Sequence, residues 1–167
     1  MGNLNVAVLG PAGYAKDLGK KGTTSDITFY NLKKGEDTVT FIEPTRYPER
    51  LAPLFYAVSL ADVALVVVGE ITPTLGEWVL MLDEARVERG YVILQNYLTQ
   101  QEVAPLFRGT VLEHYEFVDA DPIALRDLML GAAHARPSSQ PGADASGTIP
   151  IDHHFNVRGI GTVILGV

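Results

Sequence analysis

Four short apolar runs stand out along the chain, at residues 6–9, 38–42, 63–68 and 91–94, with a weaker fifth at 115–118. Their unbroken, β-branched character predicts strands buried on both faces, as in the middle of a mostly parallel sheet. Between them lie segments with helical spacing. The clearest is 77–89, where Trp78, Met81, Leu82 and Ala85 fall on one stripe. Residues 49–60 and 122–133 repeat the pattern over shorter lengths. Strands alternating with helices predict a doubly wound α/β sheet with helices on both faces. Chemistry in such sheets gathers at the carboxyl ends of the strands.

The pattern breaks at 137–147 (PSSQPGADASG), where Pro, Ser and Gly dominate and a linker is expected. Beyond it, two apolar stretches are joined through Arg158, Gly159, Ile160 and Gly161. They predict a β-hairpin, and a hairpin alone is marginal in water. The expected organisation is a first domain at 1–136, a linker at 137–148, and the opening of a second, β-rich domain at 149–167.

Composition narrows the function classes. Twenty acidic residues against 13 basic ones give a formal charge of −7, which argues against a dedicated nucleic-acid surface, since phosphate binding needs a concentrated basic face, and leaves an RNA partner only to another domain. The chain has no cysteine, so thiol nucleophiles, disulfides and cysteine metal sites are excluded. It shows no signal-peptide pattern and no apolar run of membrane-spanning length, and a cytoplasmic protein is expected.

The first strand leads into Gly10-Pro11-Ala12-Gly13-Tyr14-Ala15-Lys16-Asp17. This is similar to the phosphate-binding loop Gly-x-x-x-x-Gly-Lys-Ser/Thr, at the place such a loop occupies. Further on, Lys21-Gly22-Thr23-Thr24-Ser25-Asp26 resembles the first switch of translational GTPases, and Phe41-Ile42-Glu43-Pro44-Thr45-Arg46-Tyr47 their second. Ala61-Asp62 and the apolar run after it, then residues 90–98, match the later strands of that family. Ile151-Asp152-His153-His154-Phe155-Asn156-Val157-Arg158-Gly159 looks like the opening of its barrel domain. The chain thus resembles the elongation factor Tu/SelB-like translational GTPases from end to end, with wording nearest the archaeal EF-Pyl-like branch (Leu18-Gly19-Lys20-Lys21-Gly22-Thr23, Tyr30-Asn31, Tyr47-Pro48).

That resemblance implies a P-loop NTPase-type G domain and a β-barrel second domain. It also implies GTP or GDP with Mg²⁺ as the ligand, and aminoacyl-tRNA or ribosomal partners reached through domains beyond this chain, with no role for a membrane or DNA. The nucleotide-binding residues it implies are Gly10, Gly13, Lys16, Asp17, Thr24, Glu43, Asn96 and Ala120, with Thr24 and Asp17 nearest Mg²⁺. No catalytic residue carries over. Ala15 stands at the second loop glycine, where a left-handed Cβ costs roughly 1–2 kcal/mol. Asp17 replaces the Mg²⁺-binding hydroxyl, Arg46 the second-switch glycine, and Tyr47 the histidine that orients water. Gln95-Asn96-Tyr97-Leu98 replaces the base-reading Asn/Thr-Lys-x-Asp, so its aspartate is missing, and Asp119-Ala120 replaces Ser-Ala. Only Leu18 to Lys21 separates the loop from the first switch, so the usual first helix is mostly deleted. Hydrolysis is expected to be lost. The expected role is binding in translation; the alternatives are an atypical but working GTPase and a pseudo-GTPase scaffold outside translation.

Plainer readings stand beside these. Lys16 is equally a solvated loop lysine, and Thr24 and Asp26 a turn cap. Adjacent His153 and His154 point to opposite faces of a strand, so they do not share a metal. Trp78 reads as core, and Asp119 and Asp121 as caps of the helix after Pro122. Arg46 and Arg50 are expected to pair with Glu43 and Glu49.

Overall fold

The computed structural model describes residues 2–135 and 151–166. It divides into two compact units, Met1–Pro137 and Ser138–Val167. The expected linker falls outside the described residues.

The first unit is built on a seven-stranded sheet in the order β2-β3-β4-β1-β5-β6-β7. The strands are β1 (Asn3–Leu9), β2 (Lys20–Thr24), β3 (Ile27–Lys34), β4 (Asp37–Pro44), β5 (Val63–Val68), β6 (Gly90–Leu94) and β7 (Glu116–Phe117). Strands β4, β1, β5, β6 and β7 run parallel, whereas β2 and β3 pair antiparallel at one edge. The sheet is therefore mixed. The predicted runs at 6–9, 38–42, 63–68 and 91–94 all fall in the parallel part. The β2–β3 hairpin was not predicted. All of β2 is exposed, so it carries no apolar signal, and β3 fades from buried to exposed along its length.

Strand β5 shows how the sequence builds two layers. Val63, Leu65 and Val67 pack on one face with Leu125 and Met129 of helix α4 (Pro122–Ala135). Ala64, Val66 and Val68 pack on the other with Leu54, Leu75, Val79 and Val103. Those come from α1 (Ala52–Ser59), α2 (Pro73–Glu84) and α3 (Gln100–Phe107). One helix thus covers one face and three cover the other. On the α4 face the first crossover is reduced to a 3-10 turn, Tyr14–Asp17, which buries Ala15. That fits the expected deletion of the first helix.

Two predicted helices shift and a further helix was not predicted. Helix α2 begins earlier, with Pro73 in its first turn, and ends before Arg86, whose φ of 55° is left-handed. Its buried stripe is Leu75, Val79 and Leu82; Trp78 and Met81 sit half-buried beside it and Ala85 is exposed. Helix α3 was missed, although Thr99 and Glu102 form a reciprocal cap at its start of the kind a Thr-x-x-Glu spacing announces; Pro105 inside the helix hides it. Helix α1 is a shortened version of its predicted span.

The second unit is a hairpin of β8 (Ile151–Val157) and β9 (Gly161–Gly166). Gly159 and Gly161 take left-handed φ of 84° and 104° at its turn, which glycine permits at little cost. Two strands are described here, without a closed barrel.

Candidate functional site

The loop after β1 runs past the carboxyl end of the sheet. Gly10 needs to lack a side chain, because a Cβ there would sit 2.7 Å from the Cβ of Val67 on neighbouring β5. Gly13 takes φ 79° and starts the 3-10 turn. Ala15, expected to be strained, is not: the left-handed residue is Gly13, and Ala15 lies fully buried in the turn.

Glu43, near the end of β4, fills this loop. Its carboxylate accepts the backbone N–H of Gly13 at 3.1 Å and of Ala15 at 2.6 Å, and the Tyr30 hydroxyl from β3 donates to it as well. Glu43 is only 8% exposed. Burial pushes its carboxyl above the usual carboxylate range, and the amides of Ala15 and Gly13 and the Tyr30 hydroxyl partly offset that. Burial, and then the Glu43 charge, likewise raises the Tyr30 hydroxyl. Two backbone donors of the loop expected to cradle phosphate are thus held by a carboxyl group of the protein itself.

The segments resembling the two switches are joined directly. Asp26, at the β2–β3 turn, forms an ion pair with Arg50 at 3.3 Å, accepts a hydrogen bond from it at 3.4 Å, and lies 3.8 Å from the Nε of Arg46. The Thr45 N–H donates to the Asp26 carbonyl at 2.9 Å, and the hydroxyls of Thr28 and Thr45 bond to each other. Arg46 and Arg50 were expected to pair with Glu43 and Glu49. They pair with Asp26 instead, because Glu43 turns inward to the loop amides.

A cleft of about 330 Å³ opens between these parts. Its floor is Val8, Gly10, Gly13 and Glu43; one wall is Lys21, Thr24, Thr28 and Tyr30, and the other Tyr47, Pro48, Thr74 and Trp78. Of the sequence-derived site residues, Gly10, Gly13, Thr24 and Glu43 therefore come together. Lys16, Asp17, Asn96 and Ala120 do not line the cleft. Lys16 and Asp17 are exposed, and the Asp17 carbonyl is tied to Arg126 of α4. Lys21, Tyr30, Tyr47 and Trp78 were not singled out as site residues. The Tyr47 hydroxyl donates to Glu77 at 2.7 Å, and burial followed by Glu77 raises its pKa far above the usual value. The buried Nε1 of Trp78 has no hydrogen-bond partner among the described residues.

The segment 95–98, aligned by resemblance with the base-reading motif, is a tight turn. Asn96 and Tyr97 have φ of 54° and 64°, Leu98 N–H closes the turn on the Gln95 carbonyl at 3.1 Å, and Asn96 donates its side-chain amide to the Gly69 carbonyl. Tyr97 is fully exposed. Ala120 precedes α4, where Asp121 accepts the N–H of Ile123 and caps the helix. Among the described residues no group of three or more acidic, His or Cys side chains could hold a metal ion. The loop amides are occupied by Glu43, and of the two residues expected nearest Mg²⁺, Thr24 lines the cleft and Asp17 does not. His154 pairs in register with Ile164 across the hairpin; the side chain of His153 lies outside the described residues.

No family model matches the chain. It is 40% identical over 169 residues to an uncharacterised protein of Methanocaldococcus jannaschii, covering 99% of this chain and 53% of that protein. The chain therefore spans about half the length of the curated relative it matches. Among solved structures it resembles translation elongation factor SelB of Methanococcus maripaludis in complex with the GTP analogue GppNHp. That likeness has a TM-score of 0.65 at 19% identity, over 99% of this chain and 41% of the factor. It also resembles a bacterial selenocysteine-specific elongation factor, with a TM-score of 0.69 at 16% identity, over 99% of this chain and 34% of that one. These likenesses show the fold alone: a mixed sheet with flanking helices that resembles a G domain, and a small antiparallel hairpin. No helix among the described residues is long and apolar enough to cross a membrane.

Proposed function

We propose that this chain is the G-domain-like part of a Tu/SelB-like translation-factor homologue, nearest the archaeal EF-Pyl-like branch, that binds partners without binding or hydrolysing GTP. The observation carrying this reading is the Glu43 carboxylate on the amides of Gly13 and Ala15. A triphosphate would have to displace a buried, hydrogen-bonded carboxylate and then bear the repulsion of the charge it displaced. The Asp26 clasp supports the same reading, since it joins the two switch-like segments with protein–protein bonds where a GTPase uses the γ-phosphate. Residues 149–167 belong in this proposal to the start of a barrel domain, after a linker at 137–148. Aminoacyl-tRNA or the ribosome is the proposed partner.

One observation favours the alternative of an atypical GTP-binding factor: Gly10, Gly13 and Thr24 do share one cleft. Isothermal titration with GTP, GDP and ATP plus Mg²⁺, up to millimolar ligand, decides between them. No heat with any nucleotide is expected. Micromolar binding of guanine nucleotides with no response to ATP would establish the alternative.

A further inference from the structure

The charge of the chain is unevenly placed. All five lysines, Lys16, Lys20, Lys21, Lys33 and Lys34, lie within one stretch of 19 residues in a protein of net charge −7. The structure folds that stretch onto the free edge of the sheet. Lys16 is exposed in the 3-10 turn leading to β2; Lys20 and Lys21 are exposed on the edge strand itself; Lys33 and Lys34 end β3 beside it. Cross-strand register fixes their directions. Lys20 lies opposite Asn31, two positions before Lys33, so Lys20 and Lys33 share one face. Lys21 lies opposite Tyr30, four positions before Lys34, so that pair shares the other face. Lys34 pairs with Asp127 of α4. Lys16, Lys20, Lys21 and Lys33 have no ion pair among the described residues. The other acidic groups here, Asp26 and Asp37, are engaged by Arg46, Arg50 and His134, leaving Asp17 and Glu36 as local counter-charges.

We infer that this lysine edge is a docking surface for single-stranded RNA, gripped through its phosphates. Lysines on both faces of an edge strand can straddle a flexible polyanion along the strand. An acidic peptide added as a further strand fits less well, because Gly22 and a register shift between Lys21 and Thr24 interrupt the ladder. A membrane would need apolar anchors on the same edge, whereas the exposed large hydrophobics Leu51, Phe55 and Tyr56 belong to α1 and its start. Lysines also guard an edge strand against pairing with other chains; that role alone requires no affinity for RNA. The inference goes beyond the nucleotide reading and does not depend on it, since RNA and GTP titrations fail separately.

The test is fluorescence anisotropy of the protein with a labelled uridine 20-mer from 50 to 200 mM salt. Neutralising three to four phosphates predicts a slope of log affinity on log salt of about −2 to −3, hence about 20–50-fold weaker binding at the higher salt. The K20E/K21E/K33E variant should lose at least about tenfold at 50 mM salt. The R86E/R89E/R108E variant, which changes the charge equally at other exposed positions, should keep most of the affinity. Circular dichroism checks that both remain folded, and the single variants K20E and K33E replace the triple if it does not. Absence of RNA binding would overturn the inference. So would equal losses in the two triple variants, or a polyglutamate competitor displacing the RNA from its site by binding the protein as tightly.

Discussion

Glu43 and Ala15, 28 residues apart in sequence, are joined by a 2.6 Å hydrogen bond from the Ala15 N–H to the Glu43 carboxylate. This contact makes the loop after β1 a closed internal structure. Glu43→Ala removes the acceptor for both loop amides and the partner of Tyr30. A buried donor left unpaired costs about 1–3 kcal/mol; with water able to enter from the cleft, the expected total loss is about 2–3 kcal/mol in urea unfolding. Glu43→Gln keeps one acceptor oxygen and should lose less.

The same carboxylate gives stability a pH dependence of definite sign. The folded state holds the Glu43 proton more tightly than the unfolded chain does, because its pKa is raised. Between the ordinary glutamate value and the raised one, the folded state binds more protons, so this group's contribution to stability falls as pH rises through that window. Wild-type protein should gain stability relative to Glu43→Gln as pH is lowered from neutral into the window. Paired urea titrations from pH 7 to pH 5 check this; a constant difference between the two proteins would contradict it.

Asp37 behaves oppositely. The Gly2 N–H and then His134 hold its carboxyl below the usual range, so its contribution is present above the ordinary aspartate value and is lost as pH falls through the lowered one. Asp37→Asn should flatten that acid limb, as seen by thermal melts at acid pH.

Asp26→Asn loosens the clasp. The pairs are largely exposed, Arg46 by 60% and Arg50 by 54%, and such pairs contribute about 0.2–1 kcal/mol each. A loss of about 0.5–1.5 kcal/mol is expected, shrinking in high salt. Hydrogen exchange should speed up together at 20–28 and 44–50. Acceleration of one segment alone would mean that they are not coupled.

Ala15→Gly restores the glycine of working phosphate loops, yet it should not restore nucleotide binding, since Glu43 still holds the amides. It should cost about 0.5–1 kcal/mol through the added backbone freedom. Tyr97→Gly should do the reverse, because a fully exposed residue at φ 64° relinquishes strain of roughly 1 kcal/mol. Thermal melts measure both.

Much of the fold was legible because burial writes itself into sequence. The short, valine-rich and uninterrupted run Val63–Val68 reads as a strand covered on both faces, and all six of its residues are buried in β5. Strand β2 was not legible, since Lys20–Thr24 faces water throughout and its place is set by pairing with β3. The start of α3 was written in Thr99 and Glu102 but obscured by Pro105. At the site, the loop glycines Gly10 and Gly13 announced themselves through turn chemistry. The partner of the loop did not. Glu43 keeps the acidic character of a second switch, and nothing local reveals that its carboxylate turns toward Ala15 and leaves Arg46 and Arg50 to Asp26. Such choices depend on which donors burial leaves unpaired, and only the assembled sheet decides that.

The most direct measurement is the pair of backbone amide signals of Gly13 and Ala15 in ¹⁵N-labelled protein during titration with GTP and Mg²⁺ to millimolar concentration. Neither signal should move, because Glu43 already occupies both groups. A saturable shift of both at micromolar GTP would show that a nucleotide takes the place of Glu43, and the self-closed loop would be wrong.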